Sequence, residues 1–190
     1  MSDSLGDGAG NPTNDQIKLY ERWAEGGLAL SIIGEAQGTP HFAEKPGNLI
    51  LNNQSISDLF ERLAKAGATD GAQLWLQLGH AGAMADVGIS TPKGPSALNL
   101  PGLTCGALSL EEIHALPAEF AHTSSLAKQL GFGGVQIHAA HGFLLSQFLS
   151  PLFNKREDAY GGSLQNRMRL LREVINDCLL YTSPSPRDRG

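Results

Sequence analysis

Hydrophobic and polar positions along the chain switch repeatedly between two periods. Short apolar runs with no helical spacing occur at Leu28 to Ile33, at Leu74-Trp75-Leu76-Gln77-Leu78 and at Val135-Gln136-Ile137-His138. Each has the length of a buried strand, and glycines bound them at Gly26-Gly27, Gly79 and Gly131-Phe132-Gly133-Gly134. Between them the pattern is helical. Thr13 and Gln16 have capping-box spacing ahead of Ile17-Lys18-Leu19-Tyr20-Glu21-Arg22-Trp23, and Gly26-Gly27 stops that helix. Ser55 with Asp58 predicts the cap of a second helix, Leu59 to Lys65, ended by Gly67. Ser109 with Glu112 opens a long helix to about Leu130, in which Pro117 marks a short first helix or a kink. Ser163 caps a last helix, Leu164 to Ile175, whose period fails after Asp177. Residues 82–107, with five glycines and three prolines, show no sustained period and read as a long excursion or binding loop.

Strands alternating with helices predict an α/β fold with a parallel sheet. A βα unit takes roughly 30 residues and a complete (βα)8 barrel about 250. With three such strands in 190 residues, the chain reads as a partial TIM (β/α)8 barrel, about the first half. A complete small doubly wound domain is the competing arrangement, although no Gly-x-Gly-x-x-Gly follows any strand.

Composition narrows the function. The net charge is -5, and the 14 basic residues form no phosphate-tracking stripe, so nucleic acid is not an expected partner. No apolar stretch approaches the roughly 20 residues of a membrane span. The opening Met-Ser-Asp-Ser-Leu-Gly-Asp-Gly has neither the basic start nor the apolar core of a signal peptide. Cys105 and Cys178 make no disulfide framework. A cytoplasmic enzyme domain is the expectation.

In parallel α/β proteins chemistry collects where strands end at their carboxyl side. Glu35-Ala36, Gln77, and His138 with His141 occupy such positions. A glutamine offers an acceptor oxygen and two amide donors, which suits a flat heterocycle, and paired histidines can donate to developing negative charge on an oxygen. The plainer readings are a structural glutamine and satisfied histidines. A metal-dependent hydrolase using His80, His138 and His141 is a third reading, weakened by the lack of an acidic partner.

The stretch Gly134-Val135-Gln136-Ile137-His138-Ala139-Ala140-His141-Gly142-Phe143-Leu144-Leu145-Ser146-Gln147-Phe148-Leu149-Ser150-Pro151 resembles the signature of the old yellow enzyme family. So do Asn154-Lys155-Arg156-Glu157-Asp158-Ala159-Tyr160-Gly161-Gly162-Ser163 with Asn166-Arg167, and Gln77-Leu78-Gly79-His80-Ala81-Gly82. The early helix with its Tyr-x-x-Trp-Ala-x-Gly-Gly ending is similar too, and the resemblance runs from Met1 to about Ile175. It implies an FMN-dependent barrel that takes hydride from NADH or NADPH and passes it to a small electron-poor molecule such as an α,β-unsaturated carbonyl. Carried over, Gln77 binds the pyrimidine edge of the flavin, Ala36 lets the backbone approach it, and Ser2 hydrogen-bonds it. His138 and His141 hold the substrate's carbonyl oxygen. Phe143 stands where most members carry a proton-donating tyrosine, so flavin reduction is expected to survive while alkene reduction slows. For Arg156, Asp158 and Arg167 the structural reading, bracing their loop, is preferred.

Both ends depart from the family pattern. Met1-Ser2-Asp3 resembles the tail of a first barrel strand, and residues 178–190 resemble a translated sequencing adapter rather than the family. The expectation is therefore a family half over 1–177 and a non-native or disordered tail over 178–190. The resemblance places the flavin phosphate on later strands, so weak FMN retention, or a dead fragment that retains none, is expected of this chain. An open edge strand and apolar face also imply self-association, including a homo-oligomer.

Overall fold

The computed structural model describes residues 3–39 and 42–182. Its main sheet has four parallel strands, β1 (Leu30–Gln37), β2 (Leu49–Ile50), β3 (Gln73–Leu78) and β7 (Gly134–Ile137), in the order β2-β1-β3-β7. The three longer strands lie side by side in chain order and point one way. Among these three the order is the progression of a barrel wall, and the two-residue β2, paired on the far side of β1, is the one strand that departs from it. Helices α1 (Asn14–Glu25), α2 (Ser57–Gly67), α3 (Leu110–Gln129) and α6 (Arg169–Thr182) cover one face, with α1 against α2 and α3 against α6. Ile33, Leu74, Leu76 and Leu78 from the strands meet Phe60, Leu63, Ile113 and Leu170 from the helices in one buried core.

The termini of α1 follow the sequence. Thr13 Oγ1 accepts from the Gln16 N–H at 3.2 Å, and Gly27, at φ 88°, follows the last turn. The Gln16 side chain does not return to close the box. Its Nε2 donates to both Asp3 carboxylate oxygens, at 3.0 and 3.1 Å, and Tyr20 Oη adds a third bond at 2.8 Å. The Asp3 N–H donates to the Gly34 carbonyl, which clasps the segment before α1 against β1.

Four expectations are corrected. Ser55 does not cap α2: its hydroxyl donates to Ile50 O and accepts from the Asn52 N–H, so it is spent in the preceding turn, and Ile56 sits at the cap. Pro117 does not end a short first helix: α3 continues through it as one helix behind the expected Ser109–Glu112 capping box. The helical bond that proline removes costs about 3 kcal/mol, and burial of Ile113, Leu116, Phe120 and Ala127 offsets it. Residues 82–107 hold a second small sheet, β4 (Lys93–Gly94), β5 (Leu98–Leu100) and β6 (Leu103–Ala107), in the order β4-β6-β5. The β5–β6 hairpin turns on Pro101-Gly102, with Gly102 at φ 78°. Finally, the last helix is a short turn, α5 (Leu164–Arg167), followed by α6, which continues past Asp177 to Thr182. Leu170, Val174 and Cys178 repeat every fourth residue on its buried face, a period that Asp177 does not interrupt.

Candidate functional site at the strand ends

The carboxyl ends of β1, β3 and β7 lie next to one another. Gly34 pairs with Gln77, Gln77 with Gln136, and Ala36 with Leu78, while the His138 N–H continues the ladder to Leu78 O at 2.8 Å. Side chains alternate across a sheet, so the row Gly34, Gln77, Gln136 shares the face opposite to Ile33, Leu76 and Val135, which meet the helices. On that inner face Gln77 Nε2 donates to Gln136 Oε1 at 2.6 Å. Gly34 adds no side chain beside them.

Between Gly34 and Ala36 the register of β1 shifts, and the extra residue is Glu35. The irregularity sends the Ala36 methyl into the core, fully buried, while the Ala36 carbonyl accepts from the Gly79 N–H at 3.0 Å. Glu35 is 2% exposed. Its Oε2 accepts from Gln37 Nε2 at 3.3 Å, whereas Oε1 has no hydrogen-bond partner among the described residues. His138 Nε2 lies 3.4 Å from that Oε1. Burial pushes the Glu35 carboxyl up to about 7, and the charge of Glu44 adds to the effect. Gly79 makes the space: a Cβ there would fall 2.6 Å from the Glu35 carboxyl carbon.

After β7 the chain folds back through His141, at φ 57°, and Gly142, at φ 78°, before helix α4 (Leu144–Leu149) begins. His138 is buried and the exposed His141 stands edge-on to it, with ring centroids 5.0 Å apart; Phe143 meets the same ring at 5.1 Å. Burial first, then His141, lowers the pKa of His138. Gln147 of α4 holds this turn to the one after β3. Its Oε1 accepts from the Ala83 N–H, and its Nε2 donates to the carbonyls of Ala81 and Gly142.

His80 is engaged elsewhere. Its ring stacks on Phe42 at 4.1 Å, and Nδ1 accepts from the Gly82 N–H at 3.0 Å, which leaves the proton on Nε2. Burial pushes its pKa down to about 3. Among the described residues no three His, Cys, Asp or Glu side chains gather as a metal would require, so the three histidines of the hydrolase reading do not converge. No helix among the described residues is long and apolar enough to cross a membrane.

The segment from Asn154 to Arg167 braces itself. Arg156 pairs with Asp158 and donates to the carbonyls of Pro95 and Leu108, tying the segment to the small sheet. Asn154 Nδ2 donates to Phe148 O and Tyr160 O, and Arg167 donates to Leu149 O and Gly162 O.

A sequence profile of the NADH:flavin oxidoreductase / NADH oxidase family matches residues 4–179. The chain belongs to this family, that of the old yellow enzymes. An NADPH dehydrogenase of Halalkalibacterium halodurans is 40% identical over 163 residues, 85% of this chain and 48% of the relative. An NADH-dependent flavin oxidoreductase of Hypocrea jecorina is 30% identical over 93% of this chain and 50% of its own length. The chain thus spans about half the length of the curated relatives it matches. Among solved structures, the Pichia old yellow enzyme superposes with a TM-score of 0.86 at 27% identity, over 94% of this chain and 50% of that one. Morphinone reductase in complex with tetrahydroNAD gives 0.83 at 26% identity, over 95% and 55%. The fold is the N-terminal half of an old yellow enzyme barrel, and the family is one of FMN- and NAD(P)H-dependent enzymes.

Of the residues that the old yellow enzyme resemblance singles out, Ala36, Gln77, His138 and His141 come together at three adjacent strand ends. Ser2 lies outside the described residues. Sequence reasoning missed Gln136 as the partner of Gln77, the approach of Glu35 to His138, and Gln147 as the tie between two turns. A fully buried glutamine among Leu144, Leu145 and Phe148 is a signal for the last of these.

Proposed function

We propose that this chain supplies the N-terminal half of an FMN-dependent site that moves hydride from NADH or NADPH to a small electron-poor acceptor, such as an α,β-unsaturated carbonyl. The observation that carries the reading is the convergence of Gln77, the backbone at Ala36 and the His138–His141 pair on three neighbouring strand ends in a chain of this family. The donor set fits a flavin. Gln77 offers an acceptor oxygen and an amide donor in one plane, matched to the alternating donors and acceptors of a pyrimidine edge, and Gly34 leaves the adjacent wall bare. FMN, when bound, supplies a two-electron carrier that accepts hydride from a nicotinamide and donates it onward.

The remaining work belongs to the chain. Gln77 orients the ring edge, with Gln136 fixing the direction of its amide. His138 and His141 donate hydrogen bonds to the acceptor's carbonyl oxygen, drawing electron density from the β-carbon. Phe143 stands 5.1 Å from His138 and carries no hydroxyl, so it supplies no proton to the α-carbon, and alkene reduction is slow or takes that proton from water. Titrating FMN with the chain and with Gln77→Leu, read by flavin fluorescence, tests the assignment. Binding by the wild type that weakens at least tenfold in the variant is expected. Equal affinity for both refutes the role of Gln77, and no saturable binding by either favours a fragment that does not retain flavin.

A further inference from the structure

We propose that Glu35 is a positioning residue for His138, its buried carboxyl group setting which ring nitrogen of the imidazole carries the proton. The contact is specific. Glu35 Oε1 is buried without a hydrogen-bond partner among the described residues, and the polar atom facing it is His138 Nε2 at 3.4 Å. The carboxyl group is held from the other side by Gln37 Nε2 on Oε2. Gly79 keeps the adjoining strand end from filling the space. The inference rests on the flavin reading only for its consequence, because a donor at His138 matters when a substrate oxygen must be held.

A neutral imidazole has one donor and one acceptor nitrogen. While Glu35 is protonated, its O–H donates to Nε2, and the histidine proton sits on Nδ1, which is then a donor. Once Glu35 ionises, the carboxylate accepts from an Nε2–H, and Nδ1 becomes an acceptor. In the switch the carboxyl proton passes to Nε2 and the Nδ1 proton leaves to solvent, so one proton is released overall and the imidazole keeps a single proton. Among the described residues, Glu44 acts on Glu35 through its charge and His141 acts on His138; Gln37 and Phe143, which also touch the pair, do not titrate. Burial places the Glu35 transition near neutrality, at about 7, so both arrangements are accessible at ordinary pH.

The tautomer can be read directly and without flavin. The 190-residue chain, carrying nitrogen-15 histidine and carbon-13 glutamate, is titrated between about pH 5 and 9 and followed by NMR, beside Glu35→Gln. The expected result is a Glu35 carboxyl midpoint near pH 7, with the His138 Nδ1 signal moving from protonated to unprotonated character at the same midpoint. In Glu35→Gln that movement should vanish. A wild-type midpoint in the ordinary carboxylate range near 4.3 overturns the proposal by itself, even where the variant does not fold. An unchanged His138 curve in a folded Glu35→Gln does so too. Because no flavin is present, the outcome is independent of the Gln77→Leu titration, and either idea can fail alone.

Discussion

Replacing Arg156 by methionine tests how the loop from Asn154 to Arg167 is anchored. The guanidinium makes two kinds of contact. Nε donates to Asp158 at 3.1 and 2.9 Å, and Nη1 donates to Pro95 O at 2.9 Å and Leu108 O at 2.8 Å. The arginine side chain is 12% exposed and that of Asp158 31%. Each bond from a charged donor to a carbonyl is worth about 1.5 kcal/mol or somewhat more. The two together come to about 3 kcal/mol, and the partly solvated ion pair adds less than about 1 kcal/mol. Arg156→Met should therefore lower stability by about 3 kcal/mol, seen in urea as a midpoint lower by about 1.5 M with an unchanged slope. Arginine pairing also holds the Asp158 carboxyl below the usual range. A depressed carboxylate contributes stability above its unfolded pKa and loses it as pH falls through the folded value. The gap between wild type and variant should accordingly narrow below about pH 4. A loss under about 1 kcal/mol at neutral pH would refute the reasoning, since the two carbonyls would then be satisfied without the arginine.

Three further outcomes follow from the geometry. Gly134→Ala would set a Cβ 2.7 Å from the Trp75 ring; a loss of about 1–3 kcal/mol from overpacking is expected, and an unchanged thermal midpoint would show that the indole moves freely. Glu35 has its pKa raised in the folded state, so its contribution is full below the unfolded value and is lost as pH climbs through about 7. Wild-type stability should fall between about pH 5 and 8 relative to Glu35→Gln, and parallel urea profiles across that range would contradict this. Phe143→Tyr, in a protein carrying this half within the family's full length, should speed enone reduction more than flavin reduction; no gain would remove the proton-donor argument.

Much of the fold is legible because local chemistry and tertiary packing agree. Thr13 and Ser109 cap where their hydroxyls meet the third amide of a helix, and the runs at Leu74 and Val135 are strands because both periods were unambiguous. Ser55 fails for an instructive reason: its hydroxyl has two backbone partners in the preceding turn, so spacing alone misassigns it. Pro117 fails because a helix buried along its length tolerates one lost bond. Strands β4 and β5 are too short for any period to show. At the candidate site, single residues at strand ends are visible in sequence, whereas pairs are not. Gln77 meets Gln136 across 59 positions, and Glu35 meets His138 only because a register shift in β1 inserts one residue.

The fit of Trp75 over Gly134 also gives the inner face an optical character. The chain has two tryptophans, and they occupy different surroundings. Trp23 stands 42% exposed on α1, whereas Trp75 is half-buried on β3, its Nε1 tied to Gln73 and its ring against the bare backbone of β7. Trp75 lies two residues before Gln77, on the same side of the strand. Emission from Trp23 therefore reports on the solvent around the first helix, and emission from Trp75 reports on whatever lies against the wall that Gln77 helps to form. A planar ligand settling there changes the surroundings of the second indole directly, so Trp75 is the protein's own reporter for that wall.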